Sequence, residues 1–212
     1  MTASMTTTGN EFDHGLLGHH CWLELANGDR IELPVERWTD GCHEGDGLLL
    51  DACTGPTLDI GCGPGRLTAA LTARGIAALG VDSSRTAVRL THQRGAVALH
   101  RSVFDRLPGE GRWRHALLAD GNIGIGGDPA ALLRRAGELI APDGDVLVEL
   151  DPPGHGVRHE RVRLRPGQTD VAWFSWAWVG ADAIAEVARQ TGLHVASTAR
   201  RGHRWFARLE KS

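Results

Sequence analysis

Three aspartates and a run of glycines are the residues of this chain whose types and spacing could do chemistry. The stretch Leu58-Asp59-Ile60-Gly61-Cys62-Gly63-Pro64-Gly65-Arg66-Leu67 reads as a buried strand ending in a carboxylate, a turn with three glycines, and a helix beginning near Arg66. Glycines at alternate positions admit φ > 0 and leave no Cβ between the loop and a ligand. The amides of a helix start then point into that gap. The chemistry implied is the binding of something polar and flat, of nucleoside type. A dinucleotide fingerprint requires G-x-G-x-x-G, whereas this run is D-x-G-x-G-x-G with Pro64 between its last two glycines. A phosphate-cradling loop requires Lys followed by Ser or Thr, and the only lysine of the chain is Lys211. Asp59, just ahead of the loop, disfavours a diphosphate and suits an amino-acid ammonium.

The second aspartate closes Val81-Asp82-Ser83 at the end of the next strand. It lies about 20 residues beyond the loop, the spacing of a ribose-binding acid. A carboxylate there can accept both ribose hydroxyls. Together these residues resemble motif I and the following acidic strand end of class I S-adenosylmethionine (SAM) dependent methyltransferases. The resemblance is good over residues 57–150 and places the methionine part of SAM in the loop of Asp59, Gly61, Cys62, Gly63 and Gly65. It places the ribose at Asp82 and Ser83, and the methyl-bearing end near the third aspartate, Asp120, with Gly121 beside it. The family often has an aspartate for the adenine amino group five residues before a Leu-Pro proline, and here that position is Val103. Adenine would then be held by backbone groups and by packing against Phe104, unless Phe104 is ordinary core. Asp120 has a capping or structural reading beside the functional one.

Candidates for a general base are histidines, which titrate near neutral pH. His20 in the N-terminal segment and His155 after the fifth core strand join Asp120 as the catalytic candidates. No metal is expected: H-E-x-x-H and C-x-x-C are absent, and His155-x3-His159 stands in a Pro/Gly loop with no second pair. Asp151-Pro152-Pro153-Gly154 is similar to the D-P-P-Y signature of nucleic-acid amino-methylating enzymes. It follows the fifth strand rather than the fourth, however, and Gly154 stands in place of the base-stacking aromatic. It reads as a rigid rim loop. The chain has seven Trp and no Tyr; Trp173, Trp176 and Trp178 crowd one expected strand, where they cover a sheet edge or line an apolar pocket.

The elements that must position these groups follow from periodicity. Asn27-Gly28 between alternating flanks marks a hairpin over residues 21–33, followed by a possible helix over 44–52. From residue 57 strands and helices alternate: strands at 57–60, 76–81, 96–100, 113–119 and 146–150, helices at 67–74, 84–94 and 129–140. The last helix has Asp128 as N-cap and Pro129 at N1. Continuous apolar strands imply a parallel sheet covered on both faces. Residues 161–164 and 171–179 read as strands, 181–190 as a helix, and 195–199 with 205–209 as a closing hairpin.

The expected fold is therefore α/β, a three-layer Rossmann-like methyltransferase fold with a mostly parallel seven-stranded sheet and a C-terminal antiparallel strand. The expected division is a disordered tail over 1–10, a substrate-side appendage over 11–54 and a SAM-binding domain over 55–212. At 212 residues and 42% apolar content the chain can bury a sizeable core. The formal net charge of -3 offers no basic surplus for nucleic acid. No stretch is long enough for a membrane span, and the four scattered cysteines fit a reduced, cytoplasmic setting. The resemblance implies SAM as methyl donor, S-adenosylhomocysteine as product, and an O, N, S or C nucleophile of a small metabolite as acceptor. The protein would act as a monomer or homodimer, without nucleic-acid or membrane partners. Two alternatives stand: a non-catalytic SAM-binding sensor or scaffold, and a nucleotide-binding oxidoreductase.

Overall fold

The structure, a computed structural model, describes residues 11–165 and 172–212. The expected tail over 1–10 and the first residue of the strand expected over 171–179 lie outside the described residues. In chain order come α1 (Asp13–Leu16), β1 (Trp22–Leu25), β2 (Arg30–Glu32), α2 (Val35–Thr39) and α3 (Asp46–Ala52). The strand–helix series follows with β3 (Thr57–Ile60), α4 (Arg66–Ala73), β4 (Ala78–Asp82), α5 (Arg85–Gln93), β5 (Ala98–His100) and β6 (Trp113–Leu118). A 3-10 segment (Asn122–Gly127) leads into α6 (Pro129–Leu139) and β7 (Ile140–Leu150). The chain ends with β8 (Val157–Arg165), β9 (Phe174–Val179), α7 (Ile184–Arg189), β10 (Leu193–Arg201) and β11 (Arg204–Lys211).

The central sheet has seven strands in the order β10-β11-β7-β6-β3-β4-β5. β3 through β7 are mutually parallel. Only β11 is reversed, antiparallel to both β7 and β10. Every residue of β3 is buried, as a strand covered by helices on both faces requires. Local signals set the helix starts: the Ser84 hydroxyl accepts from Ala87 N at 3.0 Å, and Asp128 Oδ1 accepts from Ala131 N at 2.9 Å. α3 packs Leu49 and Leu50 with Leu67, Leu71 and Leu117, so it belongs to the layer covering the central sheet. α2, with no period long enough to announce it, is absent from the sequence reading.

A second sheet, β2-β1-β8-β9, joins the N-terminal hairpin to strands from the later half of the chain. Glu24 pairs in register with Arg163, and its carboxylate receives the Nη2 of Arg163 at 2.8 Å and the Nε of Arg165 at 3.0 Å. These arginines hold Glu24 down at about 2, against some desolvation. Leu23, Leu25, Val35, Val162, Leu164 and Phe174 form the small core of this sheet. Towards the amino ends of the central strands, buried His115 bonds through Nδ1 to Asp145 Oδ1 at 2.7 Å. Its Nε2 accepts the Thr54 amide at 3.0 Å and lies 3.3 Å from the Thr54 hydroxyl. The constellation has the members of a Thr-His-Asp triad, but the backbone N–H occupies the lone pair that would serve as base. It is a strut. No described helix is long and apolar enough to cross a membrane.

Candidate functional site

The site is assembled where β3, β4 and β6 end. After β3 the chain turns through Gly61, Gly63 and Gly65, all at positive φ, before α4 begins. The Gly61 amide donates to Val81 O at 2.8 Å, which moors the loop to the neighbouring strand. A Cβ on Gly61 would lie 2.7 Å from Asn122 Nδ2. That amide nitrogen donates to Ile60 O at 2.9 Å and Gly61 O at 2.8 Å, strapping the segment after β6 onto the glycine loop. Asn122 was legible only as a neighbour of Asp120; its strap joins residues 61 or more positions apart.

Asp82 is where the sequence put it, at the end of β4. Its Oδ2 accepts the Gly63 amide at 2.9 Å and its Oδ1 the Ser84 amide at 2.8 Å. One carboxylate thus ties the second strand end to the middle of the loop, and each oxygen keeps a further lone pair. Burial pushes its titration up, the two amides pull it back, and Asp13 pushes it up again. Asp13 comes from α1, where its carboxylate accepts the hydroxyls of Ser84 at 2.5 Å and Thr86 at 2.7 Å. Leu16 of the same helix stands 3.5 Å from where a Gly63 Cβ would be. α1 therefore roofs the loop, which nothing in its four-residue sequence announces.

Other loop residues turn inward. Asp59 is buried beneath the loop, accepts the Thr68 hydroxyl at 2.7 Å, and is pushed up by burial to about 6. The Cys62 side chain is buried with Sγ 3.7 Å from the Thr91 hydroxyl, and burial drives its thiol well up. The Cys62 side chain is therefore closed to a ligand, while its amide donates to Val81 O at 3.2 Å and its carbonyl accepts the Gly65 amide at 2.9 Å. Ser83 is exposed, and its carbonyl lies 2.9 Å from His100 Nε2. The Val103 side chain is in the main core while its carbonyl accepts Arg135 Nε at 3.0 Å. Phe104 is not core: its ring is 48% exposed and faces Gly126.

Asp120 sits at φ +53, the one non-glycine described with positive φ, followed by Gly121 at φ +83. It is far from a lone base. Arg66 Nη2 donates to its Oδ2 at 2.6 Å, and Arg37 Nε lies 3.0 Å from its Oδ1. Its amide donates to Glu149 Oε2 at 2.7 Å. Arg66 also binds Asp46, and Arg204 binds Asp46 Oδ1 at 2.7 Å and Glu149 at 2.8 Å. Three arginines and three carboxylates thus neutralise one another at the carboxyl edge of the sheet. Burial pushes Asp120 up and Glu149 adds to it, while Arg66, Arg37 and Arg204 pull it back. For Glu149 burial is outweighed by Arg204 and Arg37, which hold it below its usual range. Six residues drawn from across the chain carry no local motif, so this cluster escaped the sequence reading.

Neither histidine candidate joins Asp120 through a recorded bond. His20 pairs with Glu32 at 2.9 Å on the hairpin, with 74% of its side chain exposed. His155 is exposed between β7 and β8, facing Asp151 and Asp182. The glycines after Asp120 have a packing reason: a Cβ on Gly124 would lie 2.6 Å from Trp176 Nε1 of β9. Trp176 also meets Phe12 at 5.3 Å between centroids, and Phe12 meets Trp38 at 6.3 Å. Trp173 lies just before β9 under Arg163, and Trp178 lies under Arg158.

The fold has known counterparts. A SAM-dependent methyltransferase from Bacteroides fragilis, solved with S-adenosyl-L-homocysteine, superposes with a TM-score of 0.76 at 20% identity, covering 100% of this chain and 97% of that one. The 1,6-didemethyltoxoflavin-N1-methyltransferase of Burkholderia thailandensis gives 0.58 at 20% identity over 74% of this chain and 71% of its own. These likenesses establish the fold. Uncharacterised proteins of Mycobacterium tuberculosis and Mycobacterium bovis are 28% identical over 156 residues, 69% of this chain and 52% of theirs. The chain thus spans about half the length of these curated relatives. The family described as Methyltransferase domain matches residues 49–198, most of the chain, and it is to this methyltransferase family that the protein belongs.

Proposed function

We propose that this protein is a SAM-dependent methyltransferase whose acceptor is an O, N, S or C nucleophile of a small metabolite. The observation that carries the cofactor is Asp82, whose carboxylate binds the Gly63 amide and so joins the loop to the ribose-selecting strand end. The donor set fits such a group: Asp82 keeps a further lone pair on each oxygen beside a glycine loop without lysine, which suits hydroxyls rather than a diphosphate. SAM supplies an already activated methyl on a positive sulfur, so the protein's task is alignment.

In this reading Asp82 holds the ribose, the methionine part lies against the backbone of the glycine loop, and Phe104 covers the adenine. Asp120 orients and balances charge. Accepting a proton there would break charge-assisted bonds to Arg66 and weaken its pairing with Arg37. The sheet β2-β1-β8-β9, together with α1 and α2, forms the acceptor side, with Phe12, Trp38 and Trp176 as its apolar lining. A small acceptor fits so closely roofed an edge better than a macromolecule does. The Burkholderia thailandensis enzyme named above was solved with bound 1,6-didemethyltoxoflavin, which supports a small acceptor here. Methyl-labelled SAM offered with a panel of small acceptors, tRNA and protein extract tests the reading. Label in small acceptors is expected; label confined to macromolecules would overturn it. Binding of SAM without S-adenosylhomocysteine formation from any acceptor would point to a sensor.

A further inference from the structure

On the β5 side of the sheet α5 presents an unneutralised basic cleft. Its lining is Arg85, Val88, Arg89, His92, Gln93 and His100, around a volume of about 530 Å³. Arg85 and Arg89 are four positions apart, so they share one helix face about one turn from each other. Both are exposed, and neither has a hydrogen bond or ion pair among the described residues. Arg37, Arg66, Arg135, Arg163 and Arg204 each meet a carboxylate, while Arg112 and Arg134 are exposed and, among the described residues, unpaired like these two but do not line this cleft. The sequence around the cleft contains no Asp or Glu from Ser83 to Phe104, in a chain whose formal net charge is -3. The two flanking arginines do not offset the charge, since Arg94 and Arg101 donate to backbone carbonyls. His92 and His100 are fixed by bonds from Nε2 to the carbonyls of Ala98 and Ser83, which leaves each Nδ1 for another partner.

We propose that this cleft is a second ligand site, for a small phosphorylated molecule. Two guanidiniums one turn apart can clasp phosphoryl oxygens in the bidentate manner that a planar fork allows. Val88 adds an apolar side chain to the lining. Such a ligand would sit beside Ser83, whose carbonyl His100 already holds, at the adenosine end of the cofactor site. The helix that carries the two arginines begins at the Ser84 hydroxyl that also anchors Asp13.

The test is calorimetry of the whole chain with pyrophosphate as probe, at low and moderate salt. Saturable one-to-one binding is expected, weakened at least about tenfold in Arg85→Gln/Arg89→Gln, since two charge-assisted contacts are lost. The charge-matched variant Arg112→Gln/Arg134→Gln should bind as the parent does. The urea unfolding midpoint, measured in parallel, reports whether each variant is folded. Absence of pyrophosphate binding by the folded parent would overturn the proposal, as would equal loss in both variants. Binding of a single-stranded oligonucleotide but not of pyrophosphate would also overturn it, in favour of a nucleic-acid surface.

Discussion

Replacing Arg66 by Met tests whether the ion cluster holds the site together. Arg66 keeps only 3% of its side chain exposed and bridges Asp46, which is fully buried, to Asp120 at 16%. Removing one partner of a buried pair costs about 3–5 kcal/mol, because the remaining charge is stranded. Both acids keep another contact here: Asp46 retains Arg204 Nη1 at 2.7 Å and the His43 amide at 2.7 Å, and Asp120 retains Arg37. The loss should therefore lie near the lower end, about 3 kcal/mol. With a urea slope of about 2 kcal/mol per molar, the midpoint would fall by about 1.5 M. The sign of the pH dependence is also fixed. Without Arg66 the Asp120 carboxyl titrates higher still in the folded protein, so the folded state binds a proton that the unfolded chain has released. Stability then falls with rising pH across that interval. The deficit of the variant against the parent should accordingly shrink as the pH is lowered from 7 towards 4. A midpoint shift under about 0.5 M, or a deficit independent of pH, would refute the reasoning.

Asp82→Ala should weaken SAM and S-adenosylhomocysteine binding by about 1.5–3 kcal/mol, the worth of charged hydrogen bonds; unchanged affinity by calorimetry would remove the ribose assignment. Asp59 titrates at about 6 in the folded protein because it is buried. The folded state thus keeps its proton above the unfolded pKa, and stability drains away as pH rises from about 4 to about 6. Asp59→Asn keeps an acceptor for Thr68 and has no proton to lose, so its denaturation midpoint relative to the parent should rise across that window. A constant difference would count against it. His115→Ala removes a ring that satisfies the Thr54 amide and Asp145 together, and should cost about 2–4 kcal/mol in urea unfolding while leaving S-adenosylhomocysteine affinity unchanged. A change in affinity at matched fold would contradict the assignment as a strut.

What the sequence made legible was local. The loop from Asp59 to Gly65 and the acid at Asp82 are each defined within a few residues, and their backbone signals are strong. The N-caps Ser84 and Asp128 are likewise contained in one turn of helix. The second sheet was half legible: the Asn27-Gly28 hairpin could be read, but not that β1 would pair with β8 across about 140 positions. Strand partners are chosen by tertiary packing, and alternation along one strand does not name them. The same limit hid the arginine–carboxylate cluster. An arginine reads as a solvated side chain until something buries it, and Arg66 is buried only because α3 brings Asp46 to it.

That cluster alters what Asp120 can be. A strand-end aspartate near a methyl donor invites the role of base, and the sequence offered it with His20 and His155 beside it. In the fold its carboxylate is claimed by Arg66 and Arg37, its amide by Glu149, and its backbone stands in the left-handed region. The ligands of Asp120 come from α2, α4 and β7, so its position registers how the N-terminal segment, the glycine loop and the sheet sit against one another. Arg37 is the most exposed of the three arginines, with 26% of its side chain open, and it stands on α2, whose Val35 joins the small core of the second sheet. Movement of that segment would therefore be felt first at Asp120, beside the place assigned to the transferred methyl. A carboxylate so placed is better suited to setting alignment than to carrying a proton, and alignment is most of what an activated methyl requires.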